Sequence, residues 1–295
     1  MPPKNNTYYL VLMDADLPIL SILPPYALST QSQPVPSPTA LVGALMYAVR
    51  RYRDGSLDEE APVEEIIREA FEEGILYALF WVPPYATTYS LERVFTMTYQ
   101  KPGRAKMLTG EWAVKCLGDL LMIEDTGDAK RASKECGEFY DSAVSKMWGV
   151  APRGLVSYAA TAHVLYIMTN RDLARWAWLI TRIGRREDVV FVRNVNIHDL
   201  RGLVTSINGN VTYKTRFYIP TRLITTVANS QKWVLRGVVN GTIREETFEV
   251  PVMGIPSPVP ITFKPRPDET VLIKLTLDGE VEHVPIPREV VGGGR

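Results

Sequence analysis

At 295 residues the chain is long enough to bury a sizeable core, and its 33 basic and 33 acidic side chains leave a formal net charge of +0, which excludes a globally basic nucleic-acid or membrane binder. With only Cys116 and Cys136 it has neither a disulfide framework nor a paired-cysteine zinc site, and its apolar and charged fractions, 46% and 22%, are those of a soluble globular protein. No apolar run approaches the roughly 20 residues that span a bilayer and the first residues lack a signal-peptide pattern, so the expectation is a cytoplasmic protein with no membrane partner, and any polyanion must be held by a local patch.

Thr7 to Met13 is short, aromatic and apolar, and predicts a buried first strand. A loop rich in proline runs from Leu17 to Pro36. Ser37-Pro38 then starts a helix, because the serine hydroxyl can cap free backbone N–H groups and proline at the first helical position loses no hydrogen bond. Leu41, Val42, Leu45, Met46 and Val49 form its apolar stripe, while Gly43, Tyr47 and Arg50 share another face. A helix N-terminus with open N–H groups, a glycine and nearby arginines suits a phosphate; an amphipathic helix whose glycine packs on a sheet has the same pattern. Asp54 to Glu73 is acidic and reads as a second amphipathic helix with a solvated face, and Ile75 to Val82 as a fully apolar strand.

From Tyr85 to Trp112 the chain favours extended structure around a basic turn, Lys101-Pro102-Gly103-Arg104. This hairpin carries Arg93, Lys101, Arg104 and Lys106 with interleaved Tyr89, Phe95 and Tyr99. Such a pattern can grip a nucleic-acid backbone and stack on bases, and equally fits a plain surface hairpin. A helix is predicted over Asp128 to Trp148, a strand over Ser157 to Thr169 with His163 as a hydrogen-bonded sheet residue, a helix over Asp172 to Ile183 capped by Gly184, and a strand over Val189 to Ile197. The order strand, helix, two strands with an insertion, helix, strand predicts an α+β, ferredoxin-like or RNA-recognition-motif-like domain over residues 1–199, with the inserted hairpin at about 85–112. Residues 200–295 read as β-rich. There Asn208-Gly209, Asn240-Gly241 and Asp278-Gly279 are hairpin signals, and Pro251 to Pro267 is a connecting loop.

Arg182-Ile183-Gly184-Arg185-Arg186-Glu187-Asp188 places a glycine among guanidinium groups at a helix-to-strand turn, where backbone N–H groups and arginine forks can meet one phosphate. From Arg171 to Arg236 the charges are overwhelmingly basic, so the neutral total conceals an acidic and a basic segment. The nucleotide-binding, zinc-protease and serine-hydrolase motifs Gly-x-x-x-x-Gly-Lys, His-Glu-x-x-His and Gly-x-Ser-x-Gly are absent, and no cofactor or metal is predicted.

Pro36-Ser37-Pro38-Thr39-Ala40-Leu41-Val42-Gly43-Ala44-Leu45 after a proline-rich loop, followed at this distance by Arg182-Ile183-Gly184-Arg185-Arg186-Glu187-Asp188, resembles the Cas-five family of CRISPR-associated proteins, with the archaeal subtype I-A branch most similar. The resemblance spans about Thr7 to Ile197. It implies a repeat-associated RNA-binding (RAMP) fold with a thumb hairpin, in a subunit of the Cascade surveillance complex that holds the 5′ handle of the CRISPR RNA for antiviral defence. The implied partners are that RNA, the Cas-seven backbone subunit and the large subunit. Carried onto this sequence, it assigns RNA contacts to Ser37, Thr39 and Gly43 at the first helix, with Arg50 beside them, and to Arg182, Gly184, Arg185 and Arg186 at the glycine loop; the thumb would add Arg93, Lys101, Arg104 and Lys106. In subtype I-C the family supplies a metal-independent endoribonuclease, which needs a base and an acid. Of His163, His198 and His283, only His198, followed by Asp199, is placed for such a role, and the expectation is a non-catalytic subunit. The alternatives are an endoribonuclease that processes repeat RNA and a structural scaffold.

Overall fold

Strand β1 (Tyr9–Asp16) is followed by α1 (Pro38–Tyr52), α2 (Val63–Glu73), β2 (Ile75–Trp81), β3 (Ala86–Leu91), β4 (Arg153–Tyr158), β5 (Ala162–Met168), a 3-10 helix (Arg171–Leu179) and β6 (Phe191–Asp199). This computed structural model describes residues 7–17, 35–53, 55, 61–83, 86–91, 153–158, 161–184, 189–209, 211–252 and 259–292. The chain forms two units, residues 1–89 with 154–295 and residues 90–153, and the second falls almost wholly outside the described residues. So do Arg93, Lys101, Arg104, Lys106 and the helix expected over Asp128 to Trp148. Of the expected hairpin only β3 is described, paired with β4 in a two-stranded sheet.

The central sheet has the order β2-β5-β1-β6, with every neighbouring pair antiparallel. Register assigns its faces. Trp81 lies opposite His163, which lies opposite Asp14, while Tyr166 lies opposite Val11 on the other face. Every residue of β2 and β5 is buried, because both faces are covered. On one, the Tyr166 hydroxyl donates to the Leu41 carbonyl of α1 at 3.1 Å. On the other, the Trp81 indole donates to Glu282 at 2.9 Å. Burial pushes both the Tyr77 and the Tyr166 phenols well above their ordinary range.

Several boundaries differ from those expected. The acidic stretch is helical only from Val63, since Pro62 sets the start, and it stops at Gly74. Ser157 to Thr169 is not one strand: β4 ends at Tyr158 and β5 begins at Ala162. The helix expected over Asp172 to Ile183 is a shorter 3-10 helix that ends at Leu179, so Gly184 is not its cap. Asn170 accepts from the Asp172 N–H, and the tighter winding aligns residues three apart, which lets Ala174 and Ala177 share one buried row. Ladder pairing of the last strand begins at Phe191 rather than Val189, which makes an isolated bridge with Arg182.

Beyond β6 come β7 (Val204–Thr205), β8 (Tyr213–Thr215), β9 (Ile219–Pro220), β10 (Ile224–Ala228), β11 (Ser230–Val239), β12 (Thr242–Pro251), β13 (Ile261–Pro265), β14 (Thr270–Leu277) and β15 (Glu280–Pro287). They form three small sheets, ordered β10-β13-β8, β11-β12-β9 and β15-β14-β7. Asn240-Gly241 joins β11 to β12 and Asp278-Gly279 joins β14 to β15. All four residues have positive φ, as a two-residue primed turn demands. Asn208-Gly209 is not a tight hairpin, because β7 pairs with β14 and β8 with β13. The loop expected over Pro251 to Pro267 contains β13. The change at residue 200 is one of secondary structure and not of packing. The Leu200 N–H donates to Tyr8 O at 2.9 Å and the Val82 N–H to Arg216 O at 3.0 Å, and one apolar core takes in residues from both halves.

Candidate nucleic-acid interface

Helix α1 begins as its sequence requires. Pro38 occupies its first position, and the Ser37 hydroxyl accepts the Ala40 N–H at 3.3 Å. The expected open phosphate site at this end is not formed. Ser37 and Thr39 are buried, and the Thr39 hydroxyl donates to Arg236 O of β11 at 2.6 Å. A strand of the C-terminal region therefore covers the helix start, and both hydroxyls are already in use.

The other face of α1 remains. Gly43, Tyr47 and Arg51 follow one another at four-residue spacing, so they lie in one row. Among the described residues a Cβ added at Gly43 would meet nothing within 4 Å, so none of them requires the glycine for close packing. The guanidinium of Arg182 stands 4.1 Å from the Tyr47 ring centroid, and Arg51 donates to the Tyr47 hydroxyl at 3.1 Å. Arg182 has no carboxylate partner among the described residues, and Gly184, exposed with φ +95°, turns the chain beside it. Tyr47 is ten residues beyond Ser37, or about 15 Å along the axis. The glycine turn thus reaches the later turns of α1, and the Ser37 end and the Arg182 turn do not share one phosphate site.

Arg50 is engaged differently: its Nε donates to Glu69 of α2 at 2.7 Å, with Nη2 on the same oxygen. Arg53 pairs with Glu73 at 2.8 Å. Much of the basic segment is likewise balanced by carboxylates that the linear sequence keeps distant. Arg193 meets Asp16, Arg216 meets Glu280, and Arg222 meets both Glu246 and Glu289. Arg201 grips Asp199 and holds that exposed carboxyl below its ordinary range through side-chain and backbone hydrogen bonds. Arg182, placed over an aromatic ring and without a carboxylate partner among the described residues, differs from all of these. Arg185 and Arg186 lie outside the described residues.

His163 is a sheet residue, with its Nδ1 2.7 Å from Asp14 Oδ1 and its ring edge-on to Trp81. Its Nε2 is buried, 3.5 Å from Asp278 at the tip of the β14–β15 hairpin, and so cannot reach a substrate. His198 is exposed on β6, opposite Leu10. His283 packs against Tyr213, and burial, reinforced by Lys274, lowers its basicity. Among the described residues no group of three or more His, Cys, Asp or Glu could hold a metal ion, and no helix is long and apolar enough to cross a membrane.

No protein-family model matches the chain, and no curated protein does. Among solved structures it is similar to one described as a CRISPR protein from Archaeoglobus fulgidus, with 16% identity, a TM-score of 0.49, and coverage of 94% of this chain and 100% of that one.

Proposed function

We propose that the chain is a non-catalytic RNA-binding subunit of the Cas-five kind, which holds the 5′ handle of a CRISPR RNA within a Cascade complex and nucleates assembly with the Cas-seven and large subunits. Two features support the fold part of this reading. The first is the paired motifs at Pro36–Leu45 and Arg182–Asp188 of the sequence. The second is the order β2-β5-β1-β6 with an insertion between β2 and β5, the arrangement of a ferredoxin-like sheet. The RNA part rests on one observation, the Arg182 guanidinium held over the Tyr47 ring with no carboxylate partner among the described residues. A stacked guanidinium keeps its edge N–H groups free for the oxygens of a phosphate and loses little freedom in binding. With both faces of β2 and β5 covered, RNA is assigned to the outer row of α1 and the Arg182 turn.

The test is incubation of the purified chain with repeat-derived RNA in EDTA across a salt series, reading cleavage and binding together. The expected result is intact RNA and an affinity that falls with salt, at a log–log slope of about −0.7 for each phosphate neutralised. Specific cutting that His198→Ala abolishes would replace this reading with the endoribonuclease. Binding indifferent to salt, or none at all, would leave the scaffold.

A further inference from the structure

We infer that the outward face of the 3-10 helix, together with the start of β6, is a stacking track for single-stranded RNA; this rests on the RNA-binding reading above. In a 3-10 helix side chains three residues apart eclipse, so Asp172, Arg175 and Trp178 form one row. All three are exposed, while Ala174 and Ala177 of another row are buried in the core. Trp178 leaves 48% of its surface open, and Phe191, the first residue of β6, leaves 60%. The two are drawn together because the Val190 N–H donates to Thr181 O at 2.9 Å and Arg182 bridges to Val189. Nothing in the core demands a tryptophan and a phenylalanine this exposed at the same end of the fold.

Their surroundings select the occupant. Arg175 has its guanidinium carbon 5.1 Å from the Trp176 ring centroid and Arg182 has its own 4.1 Å from that of Tyr47, so two guanidinium groups are held against aromatic rings in the segments that carry Trp178 and precede Phe191. Neither has a carboxylate partner among the described residues. An apolar protein partner would not call for arginines without a described carboxylate partner beside exposed aromatic rings. A flexible polyanion with a base at every step would, since bases stack on the rings and phosphates meet the guanidinium edges. The stacking is indifferent to base identity, so the track binds single strands without strong sequence preference.

The experiment uses the full chain, a fluorescein-labelled single-stranded oligouridylate and an RNA duplex of equal length. Trp178→Ala with Phe191→Ala is expected to weaken single-strand binding by about 10-fold or more while leaving the salt slope unchanged, because stacking and charge contribute separately. Trp178→Phe should retain most of the affinity, and duplex binding should be insensitive to both changes. If the parent binds the single strand and a folded double variant binds it equally well, the track is wrong and the RNA-binding reading stands. If the parent binds no RNA, both fail. Parental RNA affinity with lost association to a protein subunit would assign the patch to protein and overturn the proposal. Should the double variant not fold, Trp178→Ser against Trp178→Phe decides, with equal affinities contradicting it.

Discussion

Trp81→Ala is expected to cost about 3–5 kcal/mol, enough to unfold a domain of ordinary stability at physiological temperature. Trp81 is fully buried at the end of β2. It packs edge-on against His163, lies 5.4 Å from the guanidinium of Arg216, and donates its indole N–H to Glu282 at 2.9 Å. Glu282 is itself buried, and its other oxygen takes the Arg216 N–H at 2.8 Å. Truncation thus opens a cavity and removes one of two donors from a buried carboxylate, and the second loss carries a desolvation penalty of its own. Because the residues act as a pair, Trp81→Phe and Glu282→Gln should not be additive. Chemical denaturation of both single variants and the double is expected to give a coupling of about 1 kcal/mol or more, and strict additivity would show that the pair does not join the C-terminal strands to the sheet.

Gly241→Val is the second large effect, about 2–4 kcal/mol by denaturation. Gly241 sits at φ +73° in the β11–β12 turn, where a β-branched residue is strained whatever the space. There is also no space: a Cβ would stand 2.8 Å from the Cβ of Phe71 and 2.9 Å from its Cγ. The turn and α2 must separate, or the turn must change type. Phe71→Ala in the Gly241→Ala background should recover only a small part of the loss, because it removes the ring carbons but keeps the Cβ at 2.8 Å and leaves the backbone strain untouched. Equal stabilities for Gly241→Val and the parent would contradict this docking of hairpin and helix.

How far the sequence can be read depends on the range of the forces involved. The capped start of α1, the fully apolar β2, and the Asn240-Gly241 and Asp278-Gly279 turns are local, and each was legible because a few adjacent residues determine it. The covered helix start was not. Nothing near Ser37 announces that Arg236, 197 residues from Thr39, supplies the carbonyl its hydroxyl meets. The same holds for charge. A window from Arg171 to Arg236 looks strongly basic, but Asp16, Glu246, Glu280 and Glu289 enter it only through the fold. The face carrying Gly43 and Tyr47 could be drawn on a helical wheel, and the Arg182 turn stood out by composition. That one packs on the other follows only from the topology, which brings the turn before β6 back over α1.

The central claim is that Arg182, held on Tyr47, meets a nucleic-acid phosphate. It is tested most directly by measuring the affinity of the full chain for single-stranded RNA across a salt series, for the parent and for Arg182→Ala. The account predicts that the folded variant binds more weakly at low salt and that its log–log slope is shallower by about 0.7, the loss of one phosphate contact. An Arg182→Ala protein with parental thermal stability, parental affinity and the parental slope would contradict it.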